Sequence, residues 1–262
     1  MIKQPYKNIK PEIVSVLDSL ISREDSYHQN HKRRMARTLE VLLEANPKGN
    51  LLEIGTSQLI PLALRELDVD VNLTVTDFNL DLPSVDMMTC SLNDKSTDVN
   101  VVRVNIEDQP LPFPDNTFDT ILLCEVLEHM ERDPMAMLSE VNRILKDNGT
   151  LIVTTPNAVS TQSMHKLLHG YEPYFYMQYR HDGSLYRHNY EYSIHSLTAI
   201  LTAAGFKGSI WTEDCFEDPI VSLPLMLEQL GFRQKNYGDN LIASVKKTSG
   251  VLDRYPKEIY VD

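Results

Sequence analysis

No CxxC pair and no disulfide framework can be drawn through this sequence. Its three cysteines, Cys90, Cys124 and Cys215, are odd in number and far apart, which fits a reducing compartment. A run of about 18 apolar residues is also missing, and the opening stretch MIKQPYKNIKPE holds no apolar signal core. The expectation is a soluble, cytoplasmic protein with no membrane partner. Positive charge is short as well: 25 Lys and Arg stand against 37 Asp and Glu, for a formal net charge of −12. Such a surface repels phosphate backbones, which disfavours nucleic acid as the main partner. One basic run, HQNHKRRMAR from His28 to Arg37, goes against that trend. It reads as the solvated face of a helix. Internal repeats and low-complexity tracts are absent too.

What is present is enough apolar residue, 42% of 262 positions, for one large α/β domain or a domain with a modest appendage. Apolar spacing predicts helix over residues 11–45, broken at Asn46-Pro47-Lys48-Gly49. A short buried strand follows, Leu51 to Ile54, ending in Gly55. Helical spacing resumes from Leu59 to Leu67, and a second strand runs from Val71 to Asp77. Residues 79–98 look polar and irregular. Further strands are predicted at Val99–Val104, Ile121–Cys124 and Thr150–Thr154. A helix from Pro134 to Leu145 precedes the last of these, with Asp147-Asn148-Gly149 as its stop signal. Ser196–Ala204 and Ile220–Leu230 read as helices, Ser209–Thr212 and Leu241–Val245 as closing strands.

Short strands alternating with helices imply right-handed crossovers and a mainly parallel sheet covered on both faces. The expected architecture is a Rossmann-like α/β fold, with an N-terminal helical segment (1–48), a main domain (49–247) carrying a cap insertion (157–190), and a peripheral tail (248–262). Ligands of such sheets sit past the carboxyl ends of the strands, near the point where strand order reverses. Gly55, Asp77, Asn105 and the Cys124-Glu125 pair all lie there. In CEVLEHM, Glu125, Glu128 and His129 share one face if a helix begins near Glu125. Two carboxylates and an imidazole on one face suit acid–base work or a divalent metal, and equally a structural cap.

The segments LLEIGTS, VTDF, VNIEDQPLPFPDNTFDTILLCEVLEHM, LSEVNRILKDNGTLIVTTPN and LTAAGF resemble, in order and spacing, the class I S-adenosylmethionine-dependent methyltransferases, in particular the type 11/UbiG-like group with an EVLEH motif. The resemblance spans about residues 50–206 and implies a seven-stranded sheet, S-adenosylmethionine as cofactor and methyl transfer as the activity. It places Glu53, Gly55, Thr56 and Ser57 in the loop that meets the cofactor, where a glycine lets backbone approach the ligand. The usual glycine-rich pattern is altered, with Ser57 and Leu59 in place of the second and third glycines. Ser57 either donates its hydroxyl to the methionine carboxylate or weakens binding by its bulk. Asp77 is implied to hold the ribose hydroxyls, Phe78 and Ile106 to flank the adenine, Asn105 to accept from its amino group, and Cys124 to line the pocket. Ile106 reads as well as plain core.

Glu125, His129 and His188 are the candidate catalytic groups. His188, in RHNYEY, stands where the small-RNA 2′-O-methyltransferases carry a further histidine beside a Glu-x-x-Glu-His metal set. No metal ligand is assigned, since many relatives without metal carry EVLEH. Tyr27, His28, Arg33 and Arg34 either close over the methionine end, an arginine pairing with its carboxylate, or face solvent. Tyr171, Tyr174, Tyr176, Tyr179, His181 and His188 either line an acceptor pocket or pack as a lid. The preferred acceptor is a small molecule or glycan. The alternatives are a metal-dependent RNA-terminus 2′-O-methyltransferase-like enzyme and a non-catalytic binding protein on the same scaffold.

Overall fold

The computed structural model describes residues 9–261, apart from 174–178, 180, 182–186, 217, 219, 221 and 232–235. Two helices open the chain, α1 (Pro11–Leu20) and α2 (Ser26–Glu44). The apolar spacing of 11–45 hides the break between them. Asp25 makes it, its carboxylate accepting from the backbone N–H of His28 at 3.0 Å as the N-cap of α2.

Among the described residues the strands form one eight-stranded sheet: β1 (Gly49–Ile54), β2 (Val71–Asp77), β3 (Val85–Leu92), β4 (Lys95–Arg103), β5 (Phe118–Cys124), β6 (Leu145–Pro156), β7 (Phe206–Glu213) and β8 (Asn240–Lys247). Their order is β3-β4-β2-β1-β5-β6-β8-β7. β4, β2, β1, β5 and β6 are parallel, while β3, β8 and β7 join antiparallel. The order reverses between β1 and β5, so the crevice expected of such sheets opens at Gly55 and Glu125.

Helices α3 (Leu59–Glu66), α4 (Pro134–Ile144) and α6 (Ile194–Ala203) cover the sheet, and α5 (Thr161–Leu168) and α7 (Ser222–Gln229) lie against each other. The continuous apolar runs of the central strands are sorted by the two-residue period of the pleat. Leu51, Leu122 and Ile152 point into a core shared with α1, α2 and α3. Leu52, Ile121, Leu123, Leu151 and Val153 point into the opposite core with α4 and α6.

Two expectations are corrected. The sheet has eight strands rather than seven because the polar stretch 79–98 contains β3 and the start of β4. Its alternation is muted: Cys90 is buried and Met88 and Leu92 half-buried, while Val85, Met87, Thr89 and Ser91 face out. Second, α4 stops at Ile144 and β6 begins at Leu145, so the Asp-Asn-Gly stop signal lies inside the strand. The segment after Lys247 lies at the surface and is fastened to the domain. Leu252 N–H donates to the Ala203 carbonyl at 2.7 Å. Arg254 and the Tyr260 hydroxyl both bond Asp133, the N-cap of α4, and together with the Ala136 N–H they hold that carboxylate at about 2 against the opposing effect of burial. No helix among the described residues is long and apolar enough to cross a membrane.

Candidate active site

A cavity of about 800 Å³ opens at the strand-order reversal. It is lined by residues past the ends of β1, β2, β4 and β5, with one wall from α2. Gly55, Thr56, Ser57, Asp77, Phe78, Asn105, Ile106, Cys124, Glu125 and His129 all border it, as does Glu53. His188 lies beside His129, the two rings edge to face with centroids 5.0 Å apart.

Gly55 has φ of 74°, a left-handed conformation that suits glycine. A Cβ there would meet Val126 Cγ2 at 3.1 Å. Its N–H donates to Thr76 Oγ1 at 3.0 Å, and Thr56 N–H donates to the Thr76 carbonyl at 3.2 Å. The altered glycine positions have local work. Ser57 donates both N–H (3.1 Å) and hydroxyl (2.9 Å) to Glu53 Oε1, and its Oγ accepts from Ile60 N–H at 3.1 Å. Leu59 is fully buried in the core under α3. Glu53 itself is 2% exposed, and its Oε2 has no hydrogen-bond partner. Burial pushes its carboxyl up to about 7 despite the bonds from Ser57.

Asp77 ends β2 with Oδ1 accepting from Phe78 N–H at 2.8 Å and Oδ2 lying 3.5 Å from Arg103 Nε. Phe78 stands 67% exposed on the rim. Asn105 is engaged in its own turn, its Oδ1 accepting from Glu107 N–H at 3.1 Å and its amide donating to Asp108. Glu107 then accepts from the backbone of Glu131 and Arg132. Loop 105–108 is thereby stapled to the loop that follows His129. Cys124 is a thiol pushed up to about 12 by burial, inert as a nucleophile.

The EVLEH segment departs from the expected helix. Glu125 takes φ of 56°, and a single 3₁₀ turn spans Leu127–His129. Glu125 therefore parts from the other two, while Glu128 Oε1 and His129 Nε2 stay 4.0 Å apart. Glu125 Oε1 accepts from Thr154 Oγ1 at 2.8 Å and from Asn240 at 3.0 Å, and its Oε2 lies 3.8 Å from Arg34 Nε. Glu128 is fully buried, with Oε2 accepting from Thr155 at 2.9 Å and Oε1 without a partner. Burial, reinforced by the charge of Glu125, raises its carboxyl well above the usual range. His129 Nδ1 meets the Arg187 carbonyl at 2.9 Å. A carbonyl only accepts, so Nδ1 carries the proton and Nε2 the lone pair. His188 Nδ1 meets Glu191 at 2.7 Å. Ligand-capable atoms of Glu128, His129 and His188 lie within 4.8 Å of one another.

The basic run on α2 is not a uniformly solvated face: Lys32 and Arg34 are buried with Met35 and Ala36. Tyr27, Arg34, Met35 and Thr38 turn toward the cavity, whereas Arg33 pairs with Asp218 on the surface. Among the tyrosine and histidine candidates of the cap, Tyr171, Tyr179 and His181 are exposed. Tyr174 and Tyr176 lie outside the described residues. Thr76, Arg132, Arg187 and Asn240 complete the site without having been expected. Nothing local in the sequence marks them, because each arrives through a long-range register or loop contact.

A family model described as a methyltransferase domain matches residues 27–209, well over half of the chain. An uncharacterized protein of Methanocaldococcus jannaschii is 35% identical over 95 residues, 36% of each chain. A ubiquinone/menaquinone biosynthesis C-methyltransferase of Teredinibacter turnerae is 34% identical over 109 residues, 41% of this chain and 43% of that protein. The chain thus matches well under half the length of these curated relatives. Among solved structures, a SAM-dependent methyltransferase from Archaeoglobus fulgidus superposes with a TM-score of 0.55 at 15% identity, covering 86% of this chain and all of that one. One from Thermotoga maritima gives 0.55 at 16%, covering 90% of this chain. At such identities these structures establish the fold alone.

Proposed function

Because the chain belongs to the class I S-adenosylmethionine-dependent methyltransferases, we propose that the cavity binds S-adenosylmethionine and that the protein transfers its methyl group to a small-molecule or glycan acceptor. The observation carrying this reading is the gathering of Gly55, Asp77, Ile106 and Glu125 from four separate strand ends around one cavity of suitable size. The cavity also holds unmatched buried polar atoms, Arg34 Nε and Glu53 Oε2, and buried polar groups call for partners.

In this reading the carboxylate of Asp77 holds the ribose hydroxyls, while Phe78 and Ile106 flank the base. Asn105 acts by shaping its turn, since both ends of its amide are already bonded. The bound cofactor supplies a sulfonium-activated methyl group, so the protein's task is alignment and exclusion of water. For a hydroxyl acceptor, His129, which borders the cavity, serves as the base, with the Arg187 carbonyl fixing its tautomer. Glu125 orients the wall through Thr154 and Asn240. The net charge of −12 favours a small or uncharged acceptor over a polyanion. The test is transfer of labelled methyl from S-adenosylmethionine into fractionated metabolites and glycans. Label in a low-molecular-weight or glycan fraction supports the reading. A folded protein that binds the cofactor and labels nothing supports the non-catalytic alternative.

One observation favours a second reading, metal-assisted transfer to a terminal ribose. Glu128 offers a bare buried oxygen beside two histidines whose Nδ1 atoms are each held by an acceptor, the arrangement that orients imidazole for metal binding. Glu125 stands apart from that set. Full activity in EDTA would eliminate this reading; binding of one Mn²⁺, lost in Glu128→Gln, would support it.

A further inference from the structure

Residues 187–189, which follow the cap, are fixed by three hydrogen bonds to the turn after β5. Asn189 N–H donates to the Glu128 carbonyl at 2.6 Å, and its side-chain amide donates to the His129 carbonyl at 2.9 Å. His129 Nδ1 donates in turn to the Arg187 carbonyl at 2.9 Å. Arg187 is thereby held next to His129, and both border the cavity. The strand order puts β2 and β4 on one side of β1 and β5 on the other. Arg187 therefore stands across the cleft from Asp77 and the turn at Asn105, the groups read above as holding the nucleoside.

Three arginines line the cavity, Arg34, Arg132 and Arg187. Arg34 has Glu125 at 3.8 Å, and Arg132 is paired with Asp108. Arg187 differs. Among the described residues no carboxylate pairs with it, and its one side-chain hydrogen bond runs from Nε to Asn189 Oδ1 at 3.4 Å, at the long limit for such a bond. In a chain with 37 acidic residues against 25 basic ones, an arginine beside a cavity and without an acid partner is the exception. Its guanidinium stays charged at any working pH, and its planar fork matches the two oxygens of a carboxylate or phosphate. The net charge of −12 acts on a small anion only weakly, because salt screens charge beyond about 8 Å, whereas the arginine acts at contact.

We propose that Arg187 is a specificity residue that holds an oxyanion, carboxylate or phosphate, on the methyl acceptor, so that the acceptor is a small anionic molecule whose reacting group lies at His129. The proposal rests on the methyltransferase reading above and narrows its acceptor.

The test melts the full chain, loaded with S-adenosylhomocysteine, in phosphate, acetate or chloride at equal ionic strength. Wild type is expected to melt higher in phosphate or in acetate than in chloride, since a ligand of the folded state stabilises it. The anion that does so names the acidic group. Arg187→Gln loses the rise, and Arg187→Lys, which keeps the charge without the fork, retains part of it. Both variants keep the contact to His129, which uses the main-chain carbonyl, and bind S-adenosylhomocysteine as wild type does. In the labelled-methyl screen the acceptor is retained by an anion-exchange resin, and Arg187→Gln raises its KM about 10- to 100-fold. Equal wild-type melting in all three salts, a rise that survives in Arg187→Gln, or label confined to the unretained fraction overturns the proposal. A wild-type chain that takes up no S-adenosylhomocysteine overturns the cofactor reading beneath it, independently of the anion melts.

Discussion

On the β1–β2–β4 side of the cleft, polar side chains bond within their own turns, Ser57 to Glu53 and Asn105 to Glu107 and Asp108. On the side built by β5 and α2, charges stand at a distance: Arg34 is 3.8 Å from Glu125, and Glu128 Oε1 is 4.0 Å from His129 Nε2. The first side shapes backbone, and its residues act through conformation. The second holds electrostatic capacity that a ligand completes. Side chains with the greatest influence on binding are therefore those that the fold leaves least satisfied.

The contrast can be broken by mutation. The largest effect is expected at Asp77, which with Glu53 is an exception on the turn side and whose carboxylate projects from β2 with its Oδ2 only loosely paired to Arg103. Asp77→Ala should weaken S-adenosylhomocysteine about 100-fold or more through lost charged hydrogen bonds, measured by calorimetry with an unchanged melting curve. A loss under tenfold would assign the ribose elsewhere. Next is pH. Glu53 has its carboxyl raised from 4.5 to about 7, so the folded state holds a proton that the unfolded chain releases. Its contribution to stability is present below about pH 4.5 and lost as pH rises through 7. Glu53→Gln should flatten the fall in melting temperature across that window. Binding of S-adenosylhomocysteine should change as Glu53 ionises over the same range, and a pH-independent affinity would separate Glu53 from the ligand.

Smaller effects follow. Tyr260→Phe removes one bond to Asp133 and should cost about 1 kcal/mol, seen in chemical denaturation. Asp133 is held at about 2, so its stabilisation is complete above the ordinary carboxylate range and is lost as pH falls through 2. The smallest change in binding belongs to Asn105→Ala, under about tenfold, because its amide serves the turn. A larger loss would mean that the amide reaches the ligand after all.

The sequence made β1, β5 and β6 legible because their cores are apolar on both faces, and the alternation of strands and helices placed Gly55, Asp77, Asn105 and Cys124-Glu125 at strand ends. Edge strand β3 escaped because both its faces are mixed, Val85 and Met87 facing out with Thr89 and Ser91 while Asp86 shares the side of Met88 and Cys90, so its period is faint. The EVLEH segment has i, i+3, i+4 spacing, yet the left-handed backbone at Glu125 takes that carboxylate away from Glu128 and His129, which stay 4.0 Å apart. Arg34 could not be singled out within a run of four basic residues, Lys32, Arg33, Arg34 and Arg37. Only the packing of α2 over the cleft buries this one at the cavity and leaves Arg33 at the surface.

The central claim is that a single adenosyl ligand occupies the cleft between β1 and β5. Titrating the full chain with S-adenosylhomocysteine measures this directly. One equivalent should bind, with Asp77→Ala abolishing the heat; a well-folded wild-type chain that takes up none would contradict it.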